Sequence, residues 1–146
     1  MRAIDLIVIH CSSTRENYAL TEQALEASHR LIGFDGTGYH FYVRRDGRVL
    51  ATRPVSKVGA HVRGYNAHSI GICYEGGLDA DGNPKDTRTP EQRSALRLLV
   101  HRLLKLFKDA RVCGHRDLSP DRDGDGTVEP GEWVKQCPCF EVSKNL

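Results

Sequence analysis

No stretch of this 146-residue chain comes near the roughly 18–20 consecutive apolar residues that a bilayer-spanning helix requires. The opening MRAIDLIVIH is apolar in part but has neither a signal-peptide hydrophobic region of adequate length nor a small-residue cleavage site. The expectation is a chain that is cytoplasmic at synthesis and not inserted in a membrane. Charge of one sign is also missing: 21 Lys and Arg against 19 Asp and Glu leave a net +2, without the basic stripe of a nucleic-acid-binding domain. No nucleic-acid partner is expected. The cysteines are too few and odd in number, five in all, to suggest a disulfide framework in a chain without an export signal. Internal repeats and low-complexity segments are lacking, as are the HExxH and CxxC spacings of compact zinc sites. What remains, at 39% hydrophobic and 27% charged, is an ordinary globular composition and the length of one domain, residues 1–146.

The hydrophobic pattern alternates between strand and helix. Ile4–Cys11 (IDLIVIHC) is a nearly continuous β-branched run, the mark of a strand buried on both faces. Leu20–Gly33 reads as a helix capped by Thr21, with Ala24, Leu25, Ser28, Leu31 and Ile32 on one face. Tyr39–Val43 and Val49–Thr52 read as a hairpin turned at Asp46-Gly47. Pro54–His68 has neither period and reads as a surface loop, long enough to suggest function. Ser69–Tyr74 is a second buried strand. Thr89–Phe107 carries the clearest helix signals: a Thr89/Gln92 capping box, Pro90 at the first position, and a stripe of Leu96, Leu99, Val100, Leu103 and Phe107 opposite a basic face. Ala110–Cys113 is a short strand leading into Gly114-His115. The fold class is therefore α/β, a central mixed β-sheet flanked by helices. Ligands in such folds gather beyond strand ends, where His10 and His115 both fall.

Two kinds of metal chemistry are written into Gly114–Phe140. His115 and Cys137, with His10 from the first strand, would give two nitrogen ligands and one sulfur. Three protein ligands and an open fourth position are the pattern of a catalytic zinc site. Spacing alone does not select Cys137 over Cys139, nor require that either binds. Between these residues, Asp121 to Glu132 fits D-x-[DN]-x-[DN]-G-x5-E, with Asp121, Asp123, Asp125, Gly126 and Glu132 at positions 1, 3, 5, 6 and 12. Thr127 would offer its backbone carbonyl at position 7 and Glu129 would act through water at position 9. A single EF-hand-like loop at 121–132 binding a structural Ca²⁺ is the expectation, with Gly131–Gln136 as a helical turn leaving it.

The segments IVIHCSST, GYHFYVRRDG, VGAHVRGYNAHSIGICYEGG, TPEQRSALRLLV, GHRD and VKQCPCF occur in that order. Together they resemble the type-2 N-acetylmuramoyl-L-alanine amidases, the group that includes phage amidase-type lysozymes and the peptidoglycan recognition proteins. The resemblance spans Ile4 to Phe140 and fails only at the acidic loop, which reads as an insertion. It implies that His10, His115 and Cys137 hold a catalytic Zn²⁺ and that Cys139 does not. It implies catalytic roles for Tyr39 and Lys135, and places His61 and Asn66 in the loop lining the substrate groove. The implied activity is zinc-dependent hydrolysis of the amide between N-acetylmuramic acid and L-alanine, by a monomeric phage or prophage endolysin that meets the cell wall after release. The alternative is a non-catalytic module that binds muropeptides; in that class the metal ligands, the cysteine above all, are commonly broken, whereas here they are intact.

Overall fold

The computed structural model describes residues 2–146. In chain order the elements are β1 (Leu6–Cys11), β2 (Thr14–Arg15), α1 (Glu22–Leu31), β3 (Phe41–Val43), β4 (Val49–Ala51), β5 (Ser69–Tyr74), β6 (Gly77–Leu78), α2 (Pro90–Leu106), β7 (Arg111–Gly114) and α3 (Val142–Asn145). Five strands form one mixed sheet in the order β4-β3-β5-β1-β7. β1 lies parallel between β5 and β7, β3 runs parallel to β5, and β4 closes the hairpin antiparallel to β3. The α/β sheet expected from the sequence is thus the architecture found. A second small sheet pairs β2 with β6, two residues each, too short to leave a hydrophobic signature.

Every residue of β1 and β5 is buried. Because successive side chains point to opposite faces, the two strands feed two cores. Ile7, Ile9 and Cys11 pack with Ile70, Ile72 and Tyr74 against Leu96, Val100 and Leu103 of α2. Leu6 and Val8 face the other way, onto Val62, with Tyr65 and Cys113 alongside. His10 follows Leu6 and Val8 in the same alternation. It therefore emerges on the face away from α2, near the carboxyl end of β1.

Helix α2 forms as its caps require: the Thr89 hydroxyl accepts from Gln92 N at 3.1 Å and the Gln92 carbonyl accepts from Thr89 N at 3.0 Å. Gln92 is fully buried, and its amide nitrogen also donates to Val43 O at 3.2 Å and Glu75 O at 2.9 Å. The capping residue thus ties the helix to the ends of β3 and β5. α1 departs from expectation. Thr21 caps it, with Ala24 N bonded to its hydroxyl at 3.1 Å. Of the apolar face read from the sequence, however, only Leu25 is buried, while Leu31 and Ile32 are 88% and 69% exposed. The helix rests through Leu25 alone on a small cluster with Tyr42 of β3 and Cys73 of β5. The segment after the acidic loop also differs: a 3₁₀ turn covers Pro130–Glu132 and the chain is extended at Trp133, because the Glu132 carboxylate folds back onto loop amides.

Replacing Gln92 with Ala leaves Thr89 N and Glu75 O without these partners in a dry setting, whereas Val43 O keeps its bond from Glu75 N at 2.8 Å. Each buried orphan costs about 1–3 kcal/mol. Gln92→Ala should lower unfolding stability by about 2–4 kcal/mol in urea titration, with the slope unchanged.

Candidate metal centre and cleft

Two parallel strands bring the histidines together. β1 pairs with β7 up to Ile9 opposite Gly114; one residue further, the rings of His10 and His115 lie 4.7 Å apart, centroid to centroid. Cys137 reaches them from the C-terminal segment, which is pinned from both sides. Cys11 N donates to its sulfur at 3.1 Å, and Arg116 N donates to its carbonyl at 2.9 Å. Pro138 then packs on Gly114, where an added Cβ would lie 2.7 Å from the proline Cδ. The Tyr74 hydroxyl anchors Pro138 O at 2.6 Å.

The outcome is a three-residue group, His10, His115 and Cys137, with one donor atom from each within 4.8 Å of the others. Two nitrogens and a sulfur at that span suit a tetrahedral zinc ion, whose bonds run about 2.0–2.3 Å. Burial, then the neighbouring His61, His115 and Lys135, hold the His10 pKa well below its usual value. Burial and Lys135 push His115 down to about 4. Both imidazoles are neutral at pH 7, the form that ligates a metal. The hydrogen bond to the Cys11 thiol, with burial, pushes the Cys137 thiol up, so a bound cation would have to displace its proton.

Around this group lies a cleft of about 260 Å³, lined in part by Tyr39, His61, Lys135, Ile32 and Phe34. Tyr39 stacks 5.0 Å from His10 and 5.4 Å from His29, and burial raises its phenol pKa well above the usual value, so the hydroxyl is a donor at any working pH. His29 in turn accepts from Gly38 N at 2.9 Å, fixing the turn before Tyr39. Sequence reasoning missed His29 and the exposed Ile32; nothing in a helical pattern separates a histidine that braces a tyrosine from one that faces water. Lys135 is exposed and borders both this cleft and an adjoining one along Leu118 and Ser119.

His61 and Asn66 sit where expected, in the loop beside the cleft, but both are committed to internal bonds. His61 Nδ1 lies 2.9 Å from His10 Nε2, and its Nε2 is 3.1 Å from the Ser69 hydroxyl. Asn66 Oδ1 accepts from His61 N and Val62 N, both at 2.9 Å, and so shapes the loop from within.

The second acidic group is also assembled: Asp121, Asp123, Asp125 and Glu132 each bring a carboxylate oxygen within 4.8 Å of the others. Asp121 accepts from Gly124 N and Gly126 N at 3.2 and 2.8 Å, and Asp125 accepts from Thr127 N at 2.9 Å. Glu132 accepts from Arg122 N, from Asp123 N at 3.1 Å and from Glu129 N at 3.0 Å. Hydrogen bonds to Asp125 and Glu132 push the half-buried Glu129 carboxyl up to about 8.

The model of the N-acetylmuramoyl-L-alanine amidase family matches residues 1–132, most of the chain. The chain belongs to the N-acetylmuramoyl-L-alanine amidase family. The match includes His10 and His115, runs through the acidic loop and stops at Glu132, short of Cys137. The endolysin of Enterobacteria phage K11 is 38% identical over 136 residues, 93% of this chain and 81% of the phage protein. The endolysin of Escherichia phage T7 is 34% identical over 140 residues, 96% and 83% of the two chains. Among solved structures, the N-acetylmuramoyl-L-alanine amidase LysC from Clostridium intestinale superposes with a TM-score of 0.73 at 28% identity, covering 96% of this chain and 79% of that one. The bumblebee peptidoglycan recognition protein SA shares the fold at TM-score 0.72 and 22% identity, covering 94% of this chain and 77% of that one.

The contact between His61 and His10 has a glycine beneath it. A Cβ at Gly71 of β5 would lie 2.6 Å from His61 Cγ. Gly71→Ala should displace His61 and free the His10 ring to turn, weakening zinc affinity about 10–100-fold in a competing-chelator titration. An unchanged affinity would show that His61 does not orient His10.

Proposed function

We propose that this chain is a zinc-dependent N-acetylmuramoyl-L-alanine amidase that cleaves the bond between the lactyl group of N-acetylmuramic acid and L-alanine in peptidoglycan. The observation carrying this reading is the meeting of His10, His115 and Cys137 in one cleft with Tyr39 and Lys135, in a chain of the amidase family. Its relatives among phage endolysins support a lytic role at the cell wall. No helix of the described residues is long and apolar enough to cross a membrane.

His10, His115 and Cys137 would hold the ion. When bound, zinc supplies a Lewis acid that polarises the scissile carbonyl and makes water a better nucleophile near neutral pH. The protein supplies the remainder. Tyr39, protonated and rigidly stacked on His10, donates a hydrogen bond to the oxyanion as the carbonyl carbon becomes tetrahedral. Lys135 stands at the mouth of the cleft and brings an ammonium group to the developing charge and a proton to the departing amine of L-alanine. The closely related reading, a module that binds muropeptides without cutting them, requires no metal and no donor at these positions. Cys137→Ser should reduce bound zinc to a trace by metal analysis and abolish release of soluble peptide from purified cell walls. Full zinc content and turnover in that variant would overturn the site; zinc binding without peptide release by the unaltered protein would favour the binding module.

The domain spans 1–146, and the 121–132 loop is read as a calcium brace set within it. Asp121, Asp123, Asp125 and Glu132 supply carboxylates and Thr127 its carbonyl. The cation would offset the mutual repulsion of the clustered carboxylates and fix the spacing between His115 and Lys135–Cys137, without taking part in the chemistry. Protein stripped of all metal and reloaded with one zinc should melt about 5–10 °C higher with calcium at a hundred times its dissociation constant. The shift should be absent in Asp123→Asn/Asp125→Asn; identical midpoints for the unaltered protein would sink the brace.

A further inference from the structure

The metal group uses one of three sulfurs that meet at the end of β1. The other two are Cys11, its last residue, and Cys139, two residues past Cys137. Their sulfurs are 4.0 Å apart. We propose that Cys11 and Cys139 are a redox-active dithiol that closes to a disulfide, cross-linking β1 to the C-terminal segment while leaving Cys137 to the metal.

A disulfide needs the sulfurs about 2.05 Å apart, so the pair must approach by about 2 Å. Both side chains have room and little to lose. Cys11 Sγ packs against the bare face of Gly77, where a Cβ would sit 2.5 Å from it. Cys139 Sγ donates to Gly77 O at 3.3 Å, so both sulfurs lie beside the same glycine. Their other sulfur contacts, Cys11 Sγ to the Ser13 hydroxyl at 3.6 Å and to the Cys137 thiol, are of the weak kind that a rotation about χ1 breaks at small cost. Cys137 is held differently. Its sulfur accepts the Cys11 backbone N–H at 3.1 Å and stands in the His10–His115 group. Access is through Cys139, which is only partly buried and reacts first; Cys11 is 3% exposed and closes the bridge from within.

The oxidant is a small-molecule disulfide. One thiol gives up its proton and attacks it; the small disulfide's S–S bond breaks, a mixed disulfide forms and one thiolate leaves. The second thiol, also deprotonated, attacks the protein sulfur, breaks the mixed disulfide and releases the second thiolate. The two protons lost by Cys11 and Cys139 end on the two released thiols, and the two electrons have reduced the small disulfide. The bridge closes most of the chain into one loop, the arrangement in which a cross-link restricts the unfolded state most.

The test is treatment of the full-length, zinc-loaded chain with oxidised glutathione, then denaturation with chelator and counting of free thiols with N-ethylmaleimide by mass. The chain's five cysteines should fall to three labels, with a mass lower by two hydrogens before labelling and no glutathione retained. Fragmentation should place the cross-link between Cys11 and Cys139, zinc should remain at one per chain, and the melting temperature should rise by about 5 °C or more. Cys139→Ser should keep four labels and show no rise; Cys11→Ala is the same test should that variant fold poorly. Five labels after oxidation, a bridge through Cys137, or loss of zinc would each overturn the proposal. The thiol count is independent of turnover, so it stands or falls separately from the amidase reading.

Discussion

The parallel placement of β1 between β5 and β7 is the constraint on which the rest of the molecule depends. Parallel pairing aligns the carboxyl ends of the strands, and strand alternation decides which face each terminal side chain takes. With Ile9 opposite Gly114, the residues that follow leave the sheet together. The odd-numbered residues of β1 are spent on the core against α2, so the even-numbered set, ending in His10, is the one that can face a cleft. A slip of one residue would bury His10 under α2 and expose Ile9. The register that builds the core is the same register that builds the site.

Around that pair, small residues let other groups come close. Gly71 gives the His61 ring a flat seat on β5, and Gly114 gives Pro138 a seat on β7. The first sets the orientation of His10 through His61; the second sets the height of Cys137 above the sheet. Neither glycine has a positive φ, so what each contributes is the absence of a side chain and not backbone freedom. Tyr39, held from behind by His29, completes the wall. The site is thus braced by packing on three sides and left open toward Lys135.

Much of this was legible in the sequence, for identifiable reasons. β1, β5 and α2 are governed by strong local rules, a β-branched run and a reciprocal cap, and they form as those rules require. His10, His115, Cys137, Tyr39 and Lys135 stand in ordered segments of the amidase type, and they converge. What could not be read is what depends on partners distant in sequence. The apolar residues of α1 have the spacing of a buried face, but the helix touches the core through Leu25 alone and leaves Leu31 and Ile32 exposed. His61 and Asn66 stand in the loop beside the cleft, as the resemblance implies, and what the pattern does not show is that their polar atoms bond to His10, Ser69 and their own loop. A pattern tells that a polar residue is near a cleft; only coordinates tell which of its atoms remain to do work there.

The exposure of Ile32 follows from the same geometry and bears on the substrate. Together with Phe34 it gives the cleft an apolar patch beside the polar His61 and Lys135. The residues that fail to bury themselves in the fold are therefore placed where a substrate could cover them, and the hydrophobic contact that α1 does not make internally becomes available for binding.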